Sequence, residues 1–126
     1  MANVPDDLRY TKDHEWAKPE GTKIRVGITA FAVEQLGDIT LVELPKVGTT
    51  IEEGKAFGTV ESVKTLSDLF APLAGTIVEV NDALSSSPEL VNEGPYDKGW
   101  MVVIELGDAK AVEALLDPAA YKKLLD

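Results

Sequence analysis

A chain of 126 residues has the length of one domain, and a domain of this size buries roughly two thirds of the surface its unfolded form exposes, so no disulfide or metal staple is required. Its 44% hydrophobic and 27% charged residues suit a soluble globular protein, and no apolar run approaches the ~20 residues of a transmembrane helix. Twelve basic against 22 acidic residues give a net charge of −10, which repels nucleic-acid backbones and anionic membranes and favours protein partners with basic patches.

The opening segment Met1 to Asp7 has neither the basic start and apolar stretch of a signal peptide nor the Arg-rich look of a transit peptide, so a cytoplasmic chain is expected. With no cysteine and one histidine, no thiolate nucleophile and no metal site are expected. Any thiol chemistry must arrive on a cofactor.

In chain order, Glu20-Gly21 signals a turn and Lys23 to Ile28 alternates polar and apolar residues, as a half-buried strand does. Thr29 can cap a short helix through Leu36, with Gly37 as its left-handed stop. Thr40 to Leu44 and Thr76 to Val80 read as further strands, separated by turn signals at Pro45 to Gly48, Glu53-Gly54 and Ala74-Gly75. A faint internal echo relates Val47-Gly48-x-x-Ile51 to Ala74-Gly75-x-Ile77.

After the turn at Asn81-Asp82, Ser87-Pro88-Glu89 has the form of an N-cap followed by proline at the first helical position. Gly94 to Gly99 reads as a turn delivering Trp100 into the sheet, and the run Trp100 to Leu106 as a strand buried on both faces. Asp108 can cap a helix over Ala109 to Leu116, and Asp117-Pro118 starts a second one ending in Lys122-Lys123-Leu124-Leu125, the tail being expected to pack on a sheet edge. Short strands with regular punctuation and few helices predict a mainly β sandwich or barrel.

The segment Gly58 to Asp68 must reverse direction, yet Ser62-Val63-Lys64-Thr65 contains no Gly, Asn, Asp or Pro. Tight hairpins usually need residues that tolerate positive φ, so β-branched Val63 and Thr65 around a lysine are a local conflict of the kind found at functional sites. Stiff neighbours would hold the Lys64 amine out at a hairpin tip.

The string Pro45-x-Val47-Gly48-x-x-Ile51-x-x-Gly54-x-x-Phe57-Gly58-x-Val60-Glu61-Ser62-Val63-Lys64-Thr65-x-Ser67-Asp68, continued by Ala71-Pro72-x-x-Gly75-x-Ile77-x-Glu79-Val80-Asn81, resembles the lipoyl-bearing segment of the glycine cleavage system H protein family. Upstream, Tyr10-Thr11-x-x-His14-Glu15-Trp16, Gly27-Ile28-Thr29 and Leu36-Gly37-Asp38 extend the resemblance. Downstream it continues through Pro88 to Asn92, Pro95-Tyr96 and Gly99-Trp100, covering about residues 7 to 125.

The resemblance implies a lipoyl-domain-like barrel-sandwich hybrid of two antiparallel sheets with short helices and a C-terminal helical extension. Within a single domain over residues 1–126, the β core would occupy about 7–107 and the tail 108–126. Lys64 would be amidated by lipoic acid, turning a cation into a neutral arm ending in a reactive disulfide. In the family, the pyridoxal-phosphate glycine decarboxylase (P-protein) loads an aminomethyl group onto that arm. The tetrahydrofolate-dependent aminomethyltransferase (T-protein) unloads it, and dihydrolipoyl dehydrogenase (L-protein) reoxidises the dithiol. The carrier itself would be a monomer catalysing none of these steps.

By the same resemblance, Glu15 and Asp68 are candidates for sheltering the loaded arm, while Glu61 and Ser62 are candidates for recognition by the lipoate-attaching enzyme, which must choose one lysine of ten. Asp13 stands where relatives often have serine, keeping an acceptor but adding charge to the sheltering region, and Gln35 stands where some have histidine, so no titrating gate is expected at Gln35. His14 reads as structural, and Trp16 and Trp100 as core anchors. Two other readings stay open. One is a lipoate donor or relay to other proteins. The other is a carrier domain of another lipoyl or biotinyl complex, although those typically show Asp-Lys-Ala or Met-Lys-Met where this chain has Val63-Lys64-Thr65.

Overall fold

The computed structural model describes residues 4–125. Its elements are β1 (Arg9–Tyr10), β2 (Glu15–Glu20), β3 (Lys23–Ile28), α1 (Ala30–Leu36), β4 (Ile39–Glu43), β5 (Thr50–Ile51), β6 (Ala56–Ser62), β7 (Leu66–Phe70), β8 (Gly75–Val80), α2 (Ala83–Ser86), α3 (Leu90–Glu93), β9 (Val102–Leu106) and α4 (Pro118–Leu125). The strands form a six-stranded sheet in the order β1-β2-β3-β9-β8-β5 and a three-stranded sheet in the order β4-β6-β7, with antiparallel pairing throughout. The fold is mainly β, as the spacing of strands and turns predicts. Among the described residues no helix is long and apolar enough to cross a membrane.

The main core takes Ala17, Ile24 and Val26 from the larger sheet and Val42, Phe57, Val60 and Leu69 from the smaller one. A second cluster of Leu8, Tyr10, Trp16 and Tyr121 forms beneath the tail. β2 is therefore covered on both sides: adjacent Trp16 and Ala17 point to opposite faces and both are buried. That explains why period-two alternation does not reveal β2. Its Pro19 lies beyond the end of two-residue β1, where a missing N–H costs no ladder bond. β9 lies between β3 and β8, and its apolar run is buried on both faces as expected.

Several expectations need correcting. Trp100 is half-buried and not a core anchor: it flanks the second cluster, with the Arg25 guanidinium 4.5 Å from its ring centroid. The helix expected to start at Pro88 starts at Leu90, because Ser87 and Pro88 form a turn whose carbonyls accept from the Leu90 and Val91 amides. Between Ala109 and Ala114 the chain is 3₁₀ rather than α, with Asp108 accepting from the Lys110 amide as its cap. It cannot continue as a helix because Leu116 is recruited to the sheet edge, exchanging two 2.9 Å hydrogen bonds with Tyr10. The tail does pack on that edge. Ala74-Gly75 is not a turn: Gly75 opens β8, and a Cβ there would run into the Glu105 carbonyl.

The segments related by the internal echo pair with each other, Thr50 opposite Thr76 and Ile51 opposite Gly75. Gly27 is needed for a different contact. A Cβ there would sit 2.7 Å from the buried Trp16 ring, which cannot swing away while its Nε1 donates to the Pro95 carbonyl at 2.8 Å. Gly27→Ala is expected to destabilise the fold by about 1–3 kcal/mol, the usual cost of overpacking, as read from urea or thermal denaturation.

Candidate functional site

β6 and β7 form a hairpin in which Glu61 pairs with Leu66 and Ser62, Val63, Lys64 and Thr65 make the turn. None of these four residues has positive φ. Their missing turn chemistry comes from Ser62: its amide donates to the Thr65 carbonyl at 2.8 Å, and its hydroxyl accepts from the amides of Lys64 and Thr65, both at 3.2 Å. The Val63 amide donates to the Asp38 carbonyl at 3.1 Å, tying the tip to the loop after α1.

The local conflict in the sequence is thus resolved by a buried serine that replaces glycine-type flexibility with two side-chain hydrogen bonds. Ser62 is 7% exposed, whereas Glu61, Val63, Lys64 and Leu66 are exposed. Glu61 is therefore open to contact from outside the protein, whereas Ser62 acts through the shape it gives the turn.

The Lys64 side chain runs over Gly37, the residue that stops α1 at φ 81°; a Cβ at Gly37 would lie 3.4 Å from Lys64 Cε. Among the described residues, no hydrogen bond or ion pair engages the Lys64 amine; the ion pair they contain is Arg25–Glu20 at 3.1 Å. Immediately before Gly37, α1 walls a cleft of about 180 Å³ with Ala32, Gln35 and Leu36. Ile28, Val60 and Leu69 add apolar surface, while Asp13, His14, Glu15, Ser67 and Asp68 add polar groups. Glu15 and Asp68, far apart in sequence, thus line one cavity.

The two acids differ sharply. Asp68 is exposed on β7 opposite Thr59. Glu15 is only 2% exposed, with Oε1 accepting from the Thr11 hydroxyl at 2.8 Å and Oε2 from the Phe70 amide at 3.1 Å. Burial dominates over these two bonds and pushes its carboxyl up to about 7. Glu15 is therefore no solvated strand carboxylate.

His14, preceding it, is held in a left-handed backbone conformation at φ 66°. Its ring lies 4.7 Å from Phe31 and its Nδ1 is 2.9 Å from the Tyr121 hydroxyl, while burial lowers its pKa. Sequence reasoning gives Thr11, the Phe70 amide and Tyr121 no role at the site, and reads Gly37 only as the stop of α1. Thr11 had a readable signal, standing four residues before an acid in a short hairpin.

A family model for the glycine cleavage H-protein matches residues 8–126. The chain belongs to the glycine cleavage H-protein family. It is 55% identical over 123 residues to the glycine cleavage system H protein of Anaeromyxobacter sp. (strain K), covering 98% of this chain and 96% of that one. To the H protein of Bacillus subtilis (strain 168) it is 54% identical over 122 residues, covering 97% and 96% of the two chains. Among solved structures, the glycine cleavage system H protein of Mycobacterium marinum superposes with a TM-score of 0.87 at 42% identity, covering 95% of this chain and 97% of that one.

Two outcomes test the geometry. Ser62→Ala leaves two turn amides without their acceptor and is expected to cost about 1–2 kcal/mol, with the loss of hydrogen-exchange protection centred on the tip. Glu15 keeps a proton in the folded state that the unfolded chain releases near its ordinary value of 4.5, so its contribution to stability is lost as pH rises from about 4.5 to 7. Glu15→Gln is expected to remove that decline, on the order of 3 kcal/mol, when thermal melts are compared across the interval.

Proposed function

We propose that this chain is the lipoyl carrier of the glycine cleavage system, with lipoic acid in amide linkage to Lys64. It would shuttle the aminomethyl unit of glycine from P-protein to T-protein and return through dihydrolipoyl dehydrogenase. The observation that carries this reading is a free lysine amine at a hairpin tip, lying over the end of the helix that walls the adjoining cleft.

The residues present fit the group. Amidation abolishes the positive charge of Lys64, and because no carboxylate among the described residues pairs with that amine, the change breaks no ion pair among them. When attached, the lipoyl group supplies the disulfide and dithiol sulfur that a cysteine-free chain lacks.

The chain's own residues contribute display, recognition and shelter. Ser62 and the Asp38 carbonyl fix the turn, so the lysine is presented in one orientation. Exposed Leu41, Val63 and Leu66 surround the tip with apolar surface, and Glu61 stands between Leu41 and Leu66 in the register of the three strands. Such a surface suits the lipoate-attaching enzyme and the three enzymes of the cycle, approached in turn by one carrier. Glu15 and Asp68 offer acceptors to a protonated amine brought into the cleft, and the apolar walls exclude water from it. On this reading the chain is a carrier subunit, and the bond-breaking steps belong to the enzymes it visits.

Co-expression with a lipoate-attaching enzyme followed by intact-mass and peptide analysis tests the assignment. A single lipoyl increment is expected on Lys64 and absent from a folded Lys64→Arg variant. An increment carried by a different lysine would overturn the reading.

A further inference from the structure

Tyr121 belongs to α4, outside the strands that display the lysine, yet its hydroxyl reaches the walls of the cleft. It stands 2.9 Å from Nδ1 of His14, which lines the cleft beside Glu15, and 2.7 Å from Oγ1 of Thr29. Thr29 caps α1, the helix that supplies the opposite wall, by accepting from the Ala32 amide at 3.3 Å. The two walls also meet directly, since the Thr29 amide donates to the His14 carbonyl at 2.9 Å.

We propose that Tyr121 is a positioning residue for the cleft: one hydroxyl staples the His14–Glu15 wall to the α1 wall, so that the C-terminal helix sets the spacing between them.

The hydrogen-bond inventory supports a directed arrangement. A neutral His14 accepts at Nδ1, the Tyr121 hydroxyl donates to it, and Tyr121 in turn accepts from the Thr29 hydroxyl, whose remaining lone pairs serve the Ala32 amide. Both hydroxyl protons in that arrangement have an acceptor. Protonating His14 would reverse it and leave the Thr29 proton in need of a new acceptor; burial separately lowers the basicity of the ring. The groups facing His14 are Asp13 on its own loop, Phe31 and Thr29 from α1, and Tyr121 from α4.

The staple cannot drift, because Tyr121 is fully buried and its ring is stacked on Tyr10, with centroids 4.5 Å apart and planes 8° from parallel. It also bears on a conformation that needs holding, the left-handed backbone of His14, uncommon for any residue but glycine.

That the cleft receives the arm rests on the function proposed above, so the test uses the unmodified chain and answers independently of lipoyl attachment. Tyr121→Phe removes only the hydroxyl. Tyr10→Phe removes a hydroxyl from the same ring stack, one that donates to the Pro5 carbonyl at 2.6 Å and does not touch the cleft, and so is the matched control.

Amide hydrogen exchange is expected to quicken about tenfold at Thr29, Ala32 and Phe70 in Tyr121→Phe, with Ile104 in β9 unchanged and with no such pattern in Tyr10→Phe. The NMR titration midpoint of His14 is expected to rise toward the ordinary histidine value in Tyr121→Phe alone, since the donor to its neutral form is gone. Equal behaviour of the two variants, or unchanged exchange and titration in Tyr121→Phe, overturns the proposal. Should Tyr121→Phe fail to fold, Thr29→Ala against Thr29→Ser makes the same comparison at the His14 ring: a shift in the alanine variant alone supports the staple, and equal midpoints overturn it.

Discussion

Glu15 is the one acidic residue among the described residues that is driven below the surface, and the reason is its strand. β2 has Ala17 packed into the main core on one side and Trp16 into the aromatic cluster on the other, so a polar residue beside them must be satisfied inside the protein. A buried carboxyl without partners would cost several kcal/mol. Two donors meet it, one from the loop that precedes β2 and one from the end of β7, and the second binds the larger sheet to the smaller. The positions of α1, of the strained His14 and of the aromatic cluster beneath the tail follow from keeping that strand covered.

The opposite demand is met at the hairpin tip. On the proposed function the amine is offered to several large enzymes and must project, and a turn made of glycine would present it in many orientations. Val63 and Thr65 are stiff at χ1, and the Ser62 hydroxyl bonds two successive amides, so the turn is rigid without any residue in a left-handed conformation. Rigidity ends at the Lys64 Cα, and mobility begins with its side chain. The neighbouring Gly37 serves the same end by leaving the lysine chain room to lie along the helix terminus.

Much of this was legible in the sequence, for identifiable reasons. Thr29 and Gly37 bound α1 because capping is local chemistry, and β3, β8 and β9 announced themselves through alternation or a dense apolar run. β2 was silent because both its faces are covered, and β1 and β5 because two residues carry no period. The end of the 3₁₀ segment could not be read from its own residues, since it is decided by Leu116 pairing with Tyr10, more than one hundred positions away in the chain. The missing turn residues around Lys64 point to the tip, and resemblance points to Asp68 in the same string and to Glu15 in the upstream His14-Glu15-Trp16. Composition alone could not have told a buried Glu15 from the 21 other acidic residues. Tyr121 was hidden for the same reason as Leu116: its partners are brought to it only by the closed sheet.

If the cleft shelters the loaded arm as proposed, an ionisation near neutrality also reconciles that shelter with stability. A carboxylate permanently charged in an apolar cleft would burden the empty carrier with an uncompensated ion, whereas a permanently neutral acid would offer a cation little. At about 7, Glu15 can hold a proton when the cleft is empty and give it up when an ammonium group comes within reach, because a nearby positive charge favours the ionised form. Desolvation is then borne by a pair and not by a single charge, and the same walls that raise the pKa strengthen the attraction once the pair forms. On the proposed function, the features that make Glu15 an unusual acid are the ones that let a small β domain hold a labile amine between enzymes without forming a permanent salt bridge it would have to break at delivery.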